Sequence, residues 1–255
     1  MAMQDISKKI IGIILLCISY ISVYAQEADI KAAETAYTAE QYDKAIELYE
    51  SVLRSHGDSF ELYYNLGNSY YKDGKIAYAI LNYERALLIK PGDGDIRFNL
   101  ELAKQQTVDK IEPLKDFFLT EWFRSVQNLI GVDSWATIGI VSFILFICCL
   151  VLFFFSKWMR LKKIGFYFGI LLLIVVVFAN VFAYNQKDEL LDRRGAIVFA
   201  PTVTIKSSPD NSGTDLFVLH EGTKVFIRSS VGDWNEIVLE DGNVGWINKK
   251  DITVI

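Results

Sequence analysis

Two stretches of this chain, 135–155 and 164–184, each run for 21 residues without a charged side chain. At a helical rise of 1.5 Å per residue each is about 31 Å long, the thickness of a bilayer's hydrocarbon core. The eight residues between them contain Lys157, Arg160, Lys162 and Lys163 and no acid. Such a basic link stays on the cytoplasmic side. The pattern predicts a two-helix transmembrane hairpin over 133–185, with spans 135–155 and 164–184 and a cytoplasmic loop 156–163. Asp133 or Ser134 is the expected N-cap, and Trp135 and Tyr184 suit the interfaces. The spans carry no acid, base or histidine, so no intramembrane active site is expected. Asn180 suits a helix–helix hydrogen bond, and Cys148 and Cys149 serve as apolar packing residues.

Everything outside the hairpin must then share one side of the membrane. The N-terminus argues for the same side independently. Lys8 and Lys9 precede a 12-residue apolar run, 10–21, and Val23-Tyr24-Ala25 precedes Gln26. This reads as a secretory signal over 1–25, cleaved or kept as an anchor. Leu16 before Cys17 is too large for a lipoprotein site.

Composition removes other classes. Lys and Arg number 26 against 31 Asp and Glu, a net charge of −5, with no basic stripe for a nucleic-acid backbone. Two histidines, with all three cysteines in apolar stretches, leave no Cys/His metal set and no expected cofactor.

Between the signal and the hairpin the sequence repeats itself with a period of 34. Ala45, Ile46, Tyr49, Glu50 and Leu53 recur as Ala79, Ile80, Tyr83, Glu84 and Leu87. Phe98-Asn99-Leu100 follows Tyr64-Asn65-Leu66 by the same interval. Tyr63, Leu66, Gly67 and Tyr70 fall on one helical face, Asp73-Gly74 turns the chain, and Ala79, Tyr83 and Ala86 line the next helix before Pro91 stops it. Residues 27–110 resemble the tetratricopeptide repeat on these positions: two repeats plus an extra helix at about 95–110, an all-α solenoid. Ala32 and Ala33 stand where the first copy should have Leu and Gly, as suits a terminal repeat. The resemblance implies a protein-binding groove along the first helix of each repeat, with Tyr37, Tyr64, Asn65, Asn68, Tyr71, Lys72, Phe98 and Asn99 as candidates. Asn65 stands where peptide-binding members use Asn on a ligand backbone. No lysine pair is evident for clamping a terminal carboxylate.

Pro113 separates the solenoid from a stretch, 112–132, with Phe117, Phe118, Trp122, Phe123, Val126, Leu129 and Ile130 among polar residues. It reads as an amphipathic helix, lying on the membrane surface or capping the solenoid.

The last segment, 196–255, alternates β-rich runs with turns. The expected strands are 196–199, 203–206, 216–219, 224–230, 234–239, 244–248 and 252–255, a small all-β barrel. Val203-Thr204-Ile205-Lys206-Ser207-Ser208-Pro209, Gly232-Asp233-Trp234 and Asp241-Gly242-Asn243-Val244-Gly245-Trp246-Ile247 resemble the bacterial SH3-like domain. Trp234 and Trp246 suit its core or its binding groove, and core packing is favoured in so small a barrel. His220 and His56 look neither catalytic nor metal-binding.

The whole order (signal, repeats, basic-tipped hairpin, SH3-like end) resembles the E component of the Bat (Bacteroides aerotolerance) operon family. That resemblance implies a two-pass inner-membrane protein with both soluble parts periplasmic, and von Willebrand factor A-domain membrane proteins among its partners. The expected role is a non-enzymatic scaffold, its groove binding proteins. The alternative is peptidoglycan binding through the SH3-like domain.

Overall fold

The computed structural model describes residues 28–114, 117–192 and 194–255; the signal reading of 1–25 lies outside them. Helix α1 (28–38) is followed by α2 (Tyr42–His56), α3 (Phe60–Lys72), α4 (Ile76–Ile89) and α5 (Gly94–Lys104). Side chains set where these helices begin. Ser59 accepts a hydrogen bond from the Leu62 amide (3.4 Å), and Asp93 accepts from the amides of Asp95 and Ile96 (both 3.1 Å).

The motif residues pack as their spacing requires. Leu66, Gly67, Tyr70, Ala79, Tyr83 and Ala86 are buried between helices, with Tyr63 and Pro91 half-buried at the rim. A Cβ at Gly67 would lie 2.7 Å from the Tyr83 ring, so only glycine lets that ring seat there. Ala33 is buried at the equivalent position of the first copy, whereas Ala32 is exposed.

Helix α5 ends at Lys104, six residues short of the expected 110. The Lys110 ammonium donates to the carbonyls of Lys104 (2.8 Å) and Gln105 (2.9 Å), and Thr107 Oγ1 to that of Lys104 (2.8 Å). These bonds satisfy the last carbonyls and close the helix. The following residues cross to the β-domain, where Ile111 packs on its core and the Leu114 amide donates to the Glu240 carbonyl (2.9 Å).

The stretch expected as one helix over 112–132 forms only a short one, α6 (Phe118–Gln127). Its Phe123 meets Phe182 edge-on at 4.8 Å. The turn after it rests on the solenoid, where a Cβ at Gly92 would stand 2.2 Å from the Leu129 carbonyl oxygen. Phe118, Leu119 and Trp122 stay exposed.

Helices α7 (Val132–Phe155) and α8 (Met159–Asp192) form an antiparallel pair, both long and apolar enough to cross a membrane. Their limits differ from expectation. Gly131 is the N-cap of α7 and uses no side chain, so Asp133 and Ser134 lie inside the helix. Only 156–158 link the pair; Arg160, Lys162 and Lys163 fall within the first two turns of α8, and Lys157 lies in the link. Helix α8 also continues past Tyr184, because no breaker follows and Asn185 and Gln186 bond to the α6–α7 elbow.

Strands β1 (Gly195–Val198), β2 (Thr202–Lys206), β3 (Asp215–His220), β4 (Lys224–Val231), β5 (Trp234–Val238), β6 (Val244–Asn248) and β7 (Ile252–Val254) build one antiparallel sheet, ordered β3-β2-β6-β5-β4-β1-β7. All seven expected runs are strands, and a single 3₁₀ turn, Lys249–Asp251, precedes the last. The core lies on one face, around Val198, Ile205, Val225, Ile237 and Ile247.

Candidate functional site

The first helix of the second repeat, α3, turns a partly exposed face toward α5. On α3, Tyr64, Asn68 and Tyr71 follow at four and three residues and share that face. Asn99 of α5 reaches across: its Nδ2 donates to Asn68 Oδ1 (2.8 Å) and to the Tyr64 hydroxyl (3.1 Å). The Tyr83 hydroxyl donates to the same Asn68 oxygen from beneath (2.8 Å). Burial first, then neighbouring Tyr64, Tyr37 and Tyr71, push the Tyr83 hydroxyl far above its ordinary range, so it stays a neutral donor. Burial also raises Tyr37, which meets Tyr42 edge-on at 5.6 Å.

Five of the eight expected groove residues are thus gathered: Tyr64, Asn68 and Asn99 in one network, Tyr37 and Tyr71 beside it. The Tyr71 hydroxyl accepts from Gln106 Nε2 (2.6 Å). Asn65 is half-buried next to the network, and Lys72 and Phe98 project from the rim, Phe98 being 64 % exposed.

Sequence reasoning missed a second constellation on the opposite face, where the β-domain docks on α4. Glu84 is buried there between two ammonium groups, Lys224 of β4 at 2.7 Å and Lys104 of α5 at 3.3 Å. Burial alone would raise its carboxyl, but the two lysines outweigh burial and hold it below the ordinary carboxylate range. Lys104 is held above its usual value although burial opposes this, because Glu84, Glu240 and Glu101 surround it. Around this centre Arg85 donates to the Val254 carbonyl (2.9 Å), Phe199 meets Tyr78 edge-on at 4.7 Å, and Ile197 and Ile255 join the solenoid core.

A latch sits at the edge of the junction. The Asp109 carboxylate accepts from the His220 amide (2.7 Å), the Thr223 hydroxyl (2.7 Å) and His220 Nδ1 (2.8 Å). Burial would raise Asp109, yet these bonds hold it below its ordinary value. One signal of the junction was in the sequence: Lys104 stands 34 residues after Tyr70, a charge where the preceding repeat has a neutral partner.

Family models agree with the helical geometry. One described as TPR repeat matches residues 36–74, and one described as Tetratricopeptide repeat matches 60–93. Residues 36–93 are tetratricopeptide repeats. No curated protein matches the chain. The repeat is a non-catalytic protein-interaction fold and implies protein partners. Helix α5 continues the stack beyond the matched residues and supplies Asn99.

The β-domain corrects one expectation. Trp234 and Trp246 lie outside the buried core: both are half-buried, on the face opposite Ile237 and Ile247. Trp246 pairs with Glu236, which alternates with Trp234 on the same strand face, so the two indoles flank a carboxylate. The inner positions are filled by smaller aliphatic residues, which leaves the indoles the outer face.

Proposed function

We propose that this chain is a membrane-anchored periplasmic scaffold, with α7 and α8 as a two-pass inner-membrane anchor and its groove binding protein partners. The observation that carries the reading is a division of faces. The β-domain occupies α4 and leaves the network face on α3 and α5 uncovered, so docking and partner binding do not compete. The basic tip at Lys157, Arg160, Lys162 and Lys163 supports a cytoplasmic link and an exported repeat domain. Exposed apolar side chains along both long helices support a bilayer around them. Within this reading, α6 lies in the outer interface with Phe118, Leu119 and Trp122 toward lipid. The partners are envelope proteins of a Bat-type complex, von Willebrand factor A-domain membrane proteins among them.

Affinity purification from native membranes tests this with the full chain and a Phe98→Ala/Lys72→Ala variant, whose side chains are exposed and leave the network intact. The expected result is a membrane protein recovered with the wild type and depleted at least fivefold with the variant. Equal recovery, or no partner at all, sinks the groove reading. Reporters fused after Lys163 and after Ile255 should report opposite sides of the membrane.

A second reading has its own observation. The half-buried Trp234 and Trp246 around Glu236 make an aromatic–acidic face suited to a cationic peptide of peptidoglycan, gripped by an SH3-like barrel. Co-sedimentation of the detergent-solubilised chain with purified sacculi, lost on Trp246→Ala, would favour it over the groove.

A further inference from the structure

Where α4, α6 and α8 meet, a cavity of about 220 Å³ lies between the Pro91 turn, the α6–α7 elbow and the last turns of α8. Gln186 points into it and is only 6 % exposed. Its Nε2 donates to the carbonyls of Gln127 (2.7 Å) and Ile130 (2.9 Å), which only a nitrogen can do. Its Oε1 is thereby fixed as an acceptor, buried, and without a hydrogen-bond partner among the described residues. Asn128 Oδ1 is buried and unpartnered in the same way and lines the same cavity, and the exposed Glu189 lines it too. Unmet buried acceptors are costly, and two converging on one space with a carboxylate beside them call for a ligand with several N–H donors.

Two further features narrow its chemistry. Arg97 and Asn128 also line an adjoining groove of about 630 Å³, together with Arg124, Ser125 and a single acid, Glu121. Cationic guanidinium groups therefore stand beside the acceptor cavity, and such groups suit phosphate. Depth is the second feature. Gln186 and Glu189 follow Tyr184 by two and five residues, about 3 and 7 Å along the helix, which is headgroup depth if Tyr184 marks the interface. Leu129, exposed, rims the outer groove, and Trp122 and Phe118, four residues apart on α6, are exposed as well.

The geometry points to a binding site for an aminophospholipid headgroup: a primary ammonium among Gln186 Oε1, Asn128 Oδ1 and Glu189, and the phosphate against Arg97 and Arg124. This rests on the membrane reading above. A choline headgroup has no N–H to give and three methyl groups to place, so the site selects phosphatidylethanolamine over phosphatidylcholine.

The test reconstitutes the full chain in vesicles of equal phosphatidylethanolamine and phosphatidylcholine, extracts it gently and measures retained lipid by mass spectrometry. The wild type should retain the ethanolamine lipid at least tenfold over the choline lipid. Glu189→Gln should bring that ratio within twofold. Arg97→Gln should lower the retention of both lipids about threefold and leave the ratio unchanged. A wild-type ratio near one, as expected of a cavity filled by water alone, overturns the site, as does a ratio that Glu189→Gln leaves intact. Flotation with vesicles of phosphatidylcholine alone separates the two readings. A chain that floats without headgroup preference loses only this site, and one that fails to float loses the membrane anchor as well.

Discussion

The two inter-repeat junctions of the solenoid are built on the same positions and put to different ends. In the first, Glu50 accepts the Tyr70 hydroxyl at 2.5 Å and meets the exposed Arg54 at 3.4 Å. Burial first, and Glu50 second, push that hydroxyl far above its ordinary range, so the bond is a neutral donor on a carboxylate. In the second, 34 residues on, Glu84 replaces Glu50 and Lys104 replaces Tyr70, and Lys224 arrives from the β-domain. The difference teaches how a repeat acquires a second attachment. One substitution makes a cation of the partner, the carboxylate loses its water, and an ammonium from another domain completes the shell.

The largest break in this comparison is Glu84→Gln. It leaves Lys104 and Lys224 facing a neutral amide in a water-poor junction, and the expected loss is about 3 kcal/mol in a denaturant titration of the detergent-solubilised chain. Glu50→Gln keeps an acceptor for Tyr70 and should cost about 1 kcal/mol or less. Equal losses would mean that the second junction is no more than a repeat contact.

Next comes the space the second repeat makes for Tyr83. Gly67→Ala puts a methyl 2.7 Å from a ring that is 1 % exposed and fixed by Asn68, so the ring must shift. The expected cost is about 2 kcal/mol. The first copy already carries Ala33 at the equivalent position, so Ala33→Gly should cost only about 0.5–1 kcal/mol, through the helix backbone. Far-ultraviolet circular dichroism melts of the two variants report both.

Much of this architecture was legible in the chain because it is local or periodic. The 34-residue interval placed α2 to α5, alternation placed all seven strands, and uncharged length placed α7 and α8. The groove was partly legible: motif register selected Tyr64, Asn68 and Asn99, while helix rotation left Lys72 and Phe98 on the rim outside their network. The docking junction was not legible. Glu84 and Lys224 are 140 residues apart and Asp109 and His220 are 111 apart, and no periodicity links them. The early end of α5 was missed although the Lys110 ammonium that closes it is local, because capping by a lysine side chain leaves no mark in the periodicity.

The latch gives a pH-dependent distinction between the junctions. Asp109 and Glu84 are both held below their ordinary values when folded, so the stability they add is present at neutral pH and above the unfolded carboxylate range near 4. It is lost as pH falls from there through their depressed folded values. Asp109→Asn keeps one acceptor oxygen and removes the charge. The expected cost at pH 7 is about 1–2 kcal/mol, with a shallower loss of stability as pH falls below about 4 than in the wild type. Hydrogen exchange should place the loosened amides at His220 and Thr223 rather than in α2 or α3. An unchanged acid limb would remove Asp109 from the docking of the two domains.

The smallest expected effect sharpens the comparison most, since it tests the junction that holds no second domain. Arg54 reaches Glu50 at i, i+4 with its side chain 70 % exposed, where solvent screens the pair and ordering two long side chains offsets its Coulomb gain. Arg54→Ala should therefore change stability by less than about 0.5 kcal/mol, and raising the salt should erase even that. Leu88 stands at the Arg54 position of the second repeat, lining a cavity shared with the β-domain. If Arg54→Ala cost as much as Glu84→Gln, the first junction would depend on its ion pair rather than on the Tyr70 hydrogen bond, and the contrast between neutral and charged junctions would fail at its simpler end.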